Sequence, residues 1–200
     1  MVINKAIINL IKDISEKYEQ TNRAIGPNIF RGHLRSISTD IEDCIALFIS
    51  SILPLDYKIY LDPSVYVDGH NHRPDLLVLN EKNECYAMIE IKANMGYCRN
   101  AEEVITREIE THDIFSNERS LSCNLSSGEA QVVLYTKKTK LYLIALTAAN
   151  CSERNHDNNR DCASNNGIKH FILFDGWYDS LTGREITDFA NDLLNTNSQK

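Results

Sequence analysis

The chain has 200 residues, of which 42% are hydrophobic and 24% are charged, a composition typical of an ordinary globular protein. This length is sufficient to bury a hydrophobic core without disulfides or structural metal ions. The length and composition fit a single domain over residues 1–200. Because no apolar run approaches the roughly 18 residues of a membrane span, we expect no membrane insertion.

The net charge of −7 argues against a protein held on nucleic acid by its overall charge alone, although local basic clusters remain open. The first ten residues lack the long apolar segment and small-residue cleavage site of a secretory signal. The six cysteines are spread too thinly for a disulfide scaffold. We therefore expect a cytoplasmic protein with reduced cysteines.

Hydrophobic periodicity predicts two helices and then three strands in the first half of the chain. The helices cover residues 3–19 and a stripe from Ile41 to Ile52, before Pro54. The strands cover residues 57–61, with a continuation to Val67 left open, 75–79 and 86–92. The polar segment Asn80–Glu84 predicts a hairpin turn between the last two strands.

The second half is predicted to contain one helix, three more strands and a closing helix. The predicted elements are a helix over 101–116, a loop over 120–129, strands over 131–135 and 141–147 joined by the Lys137–Lys140 turn, an exposed Asn-rich loop over 150–166, a strand over 168–174 and a helix over 181–194. This order predicts an α/β or α+β protein with a sheet flanked by helices.

Charged residues at the ends of two neighbouring strands are the most informative feature. In Met88-Ile89-Glu90-Ile91-Lys92, strand alternation places Glu90 and Lys92 on one face and Ile91 on the other. If the hairpin turn pairs the two strands, the start of one lies beside the end of the other. Asp75, directly after Pro74, then lies next to Glu90 and Lys92.

Two carboxylates and one amine in this arrangement predict a site for a hard divalent cation. Oxygen ligands suit Mg²⁺, which keeps several waters that a substrate phosphate can replace. The cation stabilises charge on the phosphate, and a nearby lysine can orient the attacking water. The alternative is an exposed Glu90–Lys92 pair, with Asp75 only capping a turn after proline.

Pro74-Asp75, followed by Glu90-x-Lys92 at the end of an apolar strand, resembles the PD-(D/E)xK superfamily, which includes many restriction endonucleases and Holliday-junction resolvases. The resemblance implies a restriction-endonuclease-like core of a helix, three antiparallel strands, a helix and a further strand, here over about residues 37–147. It implies Asp75, Glu90 and the Ile91 carbonyl as metal ligands and Lys92 as the catalytic lysine. Glu42 on the preceding helix would be a further acidic site residue, with Asp40 the weaker substitute.

Several residues are candidates for contacts with nucleic acid: Arg31, Arg35, Arg73, Asn94, Arg107 and Lys138. For Arg107 and its neighbour Glu108, solvated helix charges are the simpler interpretation. His70 and His72 are candidate metal ligands, but a turn that contains Gly69 and Asn71 explains them equally well. Cys151, His156 and Cys162 lack zinc-site spacing, so a polar loop is favoured there over a metal site. That loop is either a base-reading element or disordered.

Three functions are consistent with these features. The first is a Mg²⁺-dependent endonuclease that cuts double-stranded DNA like a type II restriction enzyme, with Mn²⁺ as a substitute cation. Because the chain carries one site, a double-strand break would require a homodimer. The second is a structure-selective resolvase or repair nuclease, and the third is a non-catalytic DNA-binding subunit of the same fold.

Overall fold

A computed structural model describes residues 2–22, 37–67, 69–94, 101–125, 128, 130–149 and 151–195. The described helices are α1 (Val2–Asn22), α2 (Ser38–Ile52), α3 (Ala101–Glu118), α4 (Glu153–Asn165) and α5 (Ile186–Leu194). The described strands are β1 (Lys58–Leu61), β2 (Ser64–Val67), β3 (His70–His72), β4 (Leu76–Leu79), β5 (Cys85–Asn94), β6 (Ser120–Asn124), β7 (Ala130–Leu134), β8 (Lys140–Thr147), β9 (Ile168–Asp175) and β10 (Thr182–Gly183).

A six-stranded mixed sheet forms the centre, in the order β1-β4-β5-β8-β9-β10. β4 is antiparallel to β1 and β5, whereas β8 is parallel to β5 and β9. The predicted order of a helix, three antiparallel strands, a helix and a further strand is found in α2, β1, β4, β5, α3 and β8, with β2 and β3 inserted after β1 and β6 and β7 inserted after α3. The mixed central sheet flanked by helices is thus confirmed.

Helices α1, α2 and α5 cover one face of this sheet. Their apolar sides pack with inward-facing residues of β4, β5 and β8 in one buried cluster, which includes Ile45, Ile89, Ile144 and Phe189. Each of these four side chains is fully buried. Burial of this kind stabilises a fold by about 25 cal/mol per Å² of apolar area removed from water, so this layer holds the middle strands firmly in place.

The opposite face packs against α3, α4 and a second sheet with the order β3-β2-β6-β7. Leu77 and Met88 of the central sheet join Ile105 and Phe115 of α3 and Tyr135 in a second buried cluster. The Phe115 and Tyr135 rings meet edge to face with centroids 5.3 Å apart. This second layer fixes α3 over the end of β5.

The second sheet accounts for two incorrect sequence predictions and decides a third point that the sequence left open. Residues 120–124 were expected in a loop, but Leu121 and Cys123 are buried between exposed polar residues, so the segment forms β6. β7 pairs with β6 instead of forming a hairpin with β8. The first strand does not continue to Val67, because Asp62 adopts a left-handed φ of 44° and β2 then enters the second sheet.

The Asn-rich segment is also a helix, not the predicted exposed loop. The Ser152 hydroxyl accepts a hydrogen bond from the Asn155 N–H and caps the start of α4. His156 and Ala163 are buried on its inner side. The prediction was wrong because a helix anchored by so few apolar residues shows no clear period in its sequence. The last helix was predicted to begin at 181, but it begins at Ile186 after β10.

Among the described residues, no helix is long and apolar enough to cross a lipid bilayer. This agrees with the absence of a long apolar run in the sequence.

A buried histidine makes the packing of α4 against β9 sensitive to pH. Burial lowers the pKa of His170 below its ordinary value of 6.5, because the charged ring would lose its hydration. Its Nδ1 lies 2.9 Å from the Leu143 carbonyl, and its Nε2 has no described protein partner. The neutral ring is therefore the form that fits the fold.

We predict that this site contributes its full stability above pH 6.5 and loses it as the pH falls below 6.5, because the unfolded chain then binds a proton that the folded chain resists. Urea unfolding at pH 7.5 and pH 5 would measure the loss. His170→Gln should lose less stability than the wild type over this range. An equal loss in both proteins would contradict the prediction.

Candidate active site

Strand pairing brings Asp75 and Glu90 together. Leu76 lies opposite Ile89 in the β4–β5 ladder, so the next pair outward is Asp75 and Glu90. Asn80 forms the connecting turn, as its side-chain oxygen accepts hydrogen bonds from the Lys82 and Glu84 N–H groups. The predicted hairpin and its register are confirmed.

The Asp75 carboxylate is held against the end of β5. Its Oδ2 accepts a hydrogen bond of 2.7 Å from the Ile91 N–H. This bond spans the point where β4 begins and β5 approaches its end, so the carboxylate has a fixed position relative to Glu90 and Lys92. A turn-capping role for Asp75 alone does not account for this contact with β5.

Glu90 is a buried carboxylate with two cationic partners. The residue is only 4% exposed. Its Oε1 accepts a hydrogen bond from the Lys92 ammonium and another, of 2.7 Å, from Arg107 Nη2. The alternative of an exposed cross-strand pair is wrong, because an exposed pair would leave Glu90 in solvent. Ile91 lies on the opposite face in the core, as strand alternation predicts.

Arg107 and Glu108 of α3 belong to the same cluster, which corrects their interpretation as solvated helix charges. The Arg107 Nε and Nη2 atoms lie 3.3 and 3.2 Å from Glu108 Oε1. Glu108 is only 7% exposed. Helical spacing alone could not reveal this burial, because it depends on how α3 docks over the sheet.

Partial or full burial and the proximity of other carboxylates raise two pKa values at this site. Burial and then repulsion by Glu90 raise the pKa of Asp75 to about 7, against the lowering effects of the Ile91 N–H and Lys92. Burial and repulsion by Glu90 also raise the pKa of Glu108 to about 7, although Arg107 opposes the change. A divalent cation would relieve this repulsion.

Glu42 approaches the cluster from α2. It is half-buried, and its pKa is raised by burial and by Asp62, while Lys92 lowers it. Asp43 is exposed, as expected for the outward-facing neighbour. Asp40, the weaker substitute, forms an ion pair of 3.2 Å with Lys17 instead. Glu42 is therefore the acidic residue of α2 that influences this site.

The carboxylates border a cleft of about 390 Å³. Its lining residues are Asn71, His72, Arg73, Pro74, Asp75, Glu90, Lys92, Arg107, Glu108 and Thr111. The His72 ring packs edge to face on Phe115, with centroids 5.4 Å apart, and its Nε2 has no described protein partner. The sequence left His70 and His72 open between a turn and a role near the site. The place of His72 in β3 shows that it borders the cleft, whereas His70 is exposed.

The structure brings together only some of the predicted contacts with nucleic acid. Arg73 and Arg107 line the cleft. Lys138 precedes β8, whose start pairs with Ala87, so it lies toward the other end of the strands from Glu90. Arg31, Arg35 and the Asn94 side chain lie outside the described residues.

The oxygen donors at this site fit a hard cation. In the described part of the chain, no three His, Cys, Asp or Glu side chains converge on one metal position. Cys151, His156 and Cys162 therefore form no such group. Mg²⁺, however, is commonly bound by one or two carboxylates, with waters and substrate oxygens completing its shell. Asp75 and Glu90 supply such a pair beside an open cleft.

No protein-family model matches the chain, and no curated protein matches it in sequence. Among solved structures, P. aeruginosa ATCC27853 NucC in its cAAA-bound form aligns with 96% of this chain and 90% of its own length, at 12% identity and a TM-score of 0.48. A likeness at this level carries no functional argument, so the function must be argued from the site.

We predict that Asp75→Asn stabilises the metal-free protein. The pKa of Asp75 in the folded protein is about 7, which exceeds the ordinary value of 3.8. The free energy of unfolding therefore falls as the pH rises from about 4 to 7, and the full destabilisation by the Asp75 charge is present at pH 8. The substitution should raise the free energy of unfolding by about 1–3 kcal/mol at pH 8, and by less at pH 5.

Urea unfolding in the presence of a chelator would measure this gain. Asp43→Asn, which removes an exposed carboxylate from α2, is the matched control and should change stability little. A loss of stability in Asp75→Asn at pH 8 would show that the half-buried carboxylate is not under electrostatic stress.

Proposed function

We propose that the protein is a metal-dependent endonuclease that hydrolyses phosphodiester bonds in double-stranded DNA. The observation that carries the proposal is the meeting of Asp75 and Glu90 at adjoining strand ends, with Lys92 on the same face as Glu90. An open cleft beside them gives access to a large polymeric substrate. A purely structural cluster would not require such access.

Asp75, Glu90 and the Ile91 carbonyl would hold Mg²⁺, or Mn²⁺ as a substitute, with Glu42 beside them. The bound cation would supply stabilisation of charge on the phosphate and acidify a water. Because Asp75 must be deprotonated to serve as a ligand, its raised pKa means that metal affinity should increase as the pH rises toward 7 and above.

Lys92 would orient the attacking water and stabilise the developing negative charge. In the reaction, the water oxygen forms a bond to phosphorus while one phosphorus–oxygen ester bond breaks, and the proton lost by the water passes to solvent. The leaving oxygen then takes up a proton from solvent. The Lys92 side chain is 27% exposed, so its charge acts in a partly desolvated site with reduced screening.

Arg73 and Arg107 provide positive charge in the cleft of a chain whose net charge is negative. Such local cations can hold phosphate groups through charge-assisted hydrogen bonds. Since each chain carries one site, we propose that a homodimer cuts the two strands of a duplex, in the manner of a type II restriction enzyme.

We predict that Asp75→Ala and Lys92→Ala each reduce cleavage at least about 100-fold, because each removes a group that acts on the transition state. The assay compares plasmid, linear duplex and branched DNA with Mg²⁺ and with a chelator. Lys12→Ala is the control, because Lys12 forms only an exposed pair with Glu16 on α1, and it should cleave like the wild type.

Discrete plasmid fragments would support restriction-like cleavage, and cutting confined to branched DNA would instead assign the site to structure-selective cleavage. Retained cleavage in both Asp75→Ala and Lys92→Ala would overturn the assignment of the site. Binding of duplex without any cleavage by the wild type would overturn the enzymatic proposal itself.

A further inference from the structure

Arg107 forms ion pairs with two different carboxylates of the candidate active site. Its Nη2 atom lies 2.7 Å from Glu90 Oε1, and the same guanidinium reaches Glu108 through Nη2 and Nε. The Arg107 side chain is 60% exposed, whereas those of Glu90 and Glu108 are 5% and 9% exposed. A largely exposed cation thus pairs with two buried acceptors.

The contact between Arg107 and Glu90 would compete with a metal ion for the same carboxylate oxygen. Glu90 Oε1 already accepts hydrogen bonds from Lys92 and Arg107, and a ligating carboxylate must turn its oxygens toward the metal. A divalent cation at Glu90 would also repel the adjacent guanidinium. A cation bound through Glu90 Oε1 would therefore have to displace at least one of these donors.

We infer that Arg107 is a displaceable counter-ion of Glu90 that transfers to the phosphodiester substrate when the cation binds. The inference rests on the proposed nuclease function. In the metal-free protein, the guanidinium offsets the buried Glu90 charge. Once the cation takes over that task, the guanidinium points into the cleft, where a substrate phosphate offers it a new acceptor.

Glu108 is the positioning residue for this transfer. It is buried on the same helix as Arg107, and its Oε1 holds the Nε edge of the guanidinium independently of Glu90. Release from Glu90 would therefore leave Arg107 tethered at the wall of the cleft. The remaining donors of the planar guanidinium could then bind two phosphate oxygens at once, which a lysine cannot do.

Lys92 is less suited to the same exchange. It lies two residues from Glu90 on the same rigid strand, and its side chain is 27% exposed compared with 60% for Arg107. Arg107 comes from a different element, α3, and reaches the site across the cleft. The two cations around Glu90 therefore have separable tasks, and single substitutions can distinguish them.

The test measures Mn²⁺ affinity without DNA, by calorimetry, and single-turnover cleavage at saturating Mn²⁺. Arg107→Ala should bind Mn²⁺ about fivefold more tightly, because a partly exposed competing ion pair is removed. Its cleavage rate should fall on the order of 100-fold, because a phosphate donor is lost. Arg107→Lys should lie between the wild type and Arg107→Ala in both measurements.

Two further variants complete the design. Glu108→Gln should reduce the cleavage rate less than Arg107→Ala does, and combining the two substitutions should add little, because Glu108 acts through Arg107. Lys12→Ala removes one positive charge far from the site and should match the wild type in Mn²⁺ affinity and in rate. Free energies of unfolding would show whether each variant is folded.

Unchanged or weaker Mn²⁺ binding in Arg107→Ala would overturn the counter-ion role, and a wild-type cleavage rate at saturation would overturn the transfer to phosphate. The proposed nuclease function fails separately, if the wild type binds no Mn²⁺ or if Asp75→Asn binds it equally well. If Arg107→Ala binds Mn²⁺ more tightly but the wild type cleaves no DNA, the counter-ion role would be supported and the proposed nuclease activity would be refuted.

Discussion

The burial of one negative charge, on Glu90, is the constraint around which the site is organised. A carboxylate that is 4% exposed must be compensated, because its desolvation is costly. Lys92 supplies one compensating charge from the same strand and Arg107 supplies another from α3. Burial and then repulsion by Glu90 raise the pKa values of Asp75 and Glu108. The metal-free site is therefore under electrostatic stress that a divalent cation would relieve.

Two apolar layers allow the sheet to tolerate that stress. On one side α1, α2 and α5 pack on the inner residues of β4, β5 and β8, and on the other side α3 and the second sheet pack around Phe115 and Tyr135. Because both layers pack on β5, the strand end that carries Glu90 and Lys92 is held close to Asp75 and α3. Stability supplied by the packing offsets the cost of gathering like charges where binding requires them.

Several parts of the fold were accessible from local patterns. The alternation through Ile89, Glu90 and Ile91 indicated which face of β5 carries charge, and the Asn80 turn indicated its antiparallel partner. Each signal lies within a few residues of chain, and the structure confirms both. The sequence did not predict β6 and α4, because these elements lack a comparable local signal. Leu121, Cys123, His156 and Ala163 provide too few apolar positions to define a period, and these segments form because other elements cover them.

The sequence by itself indicated that Asp75 lies beside Glu90 and Lys92, because the short turn at Asn80 joins two strands whose charged residues fall at the same end of the hairpin. Only the tertiary structure decided which distant residues complete the site. Arg107 and Glu108 resemble ordinary helix charges until α3 docks over β5, and His72 borders the cleft only because β3 pairs within the second sheet. Contacts between elements far apart in the chain depend on how whole layers pack, and residue spacing within one element does not predict that packing.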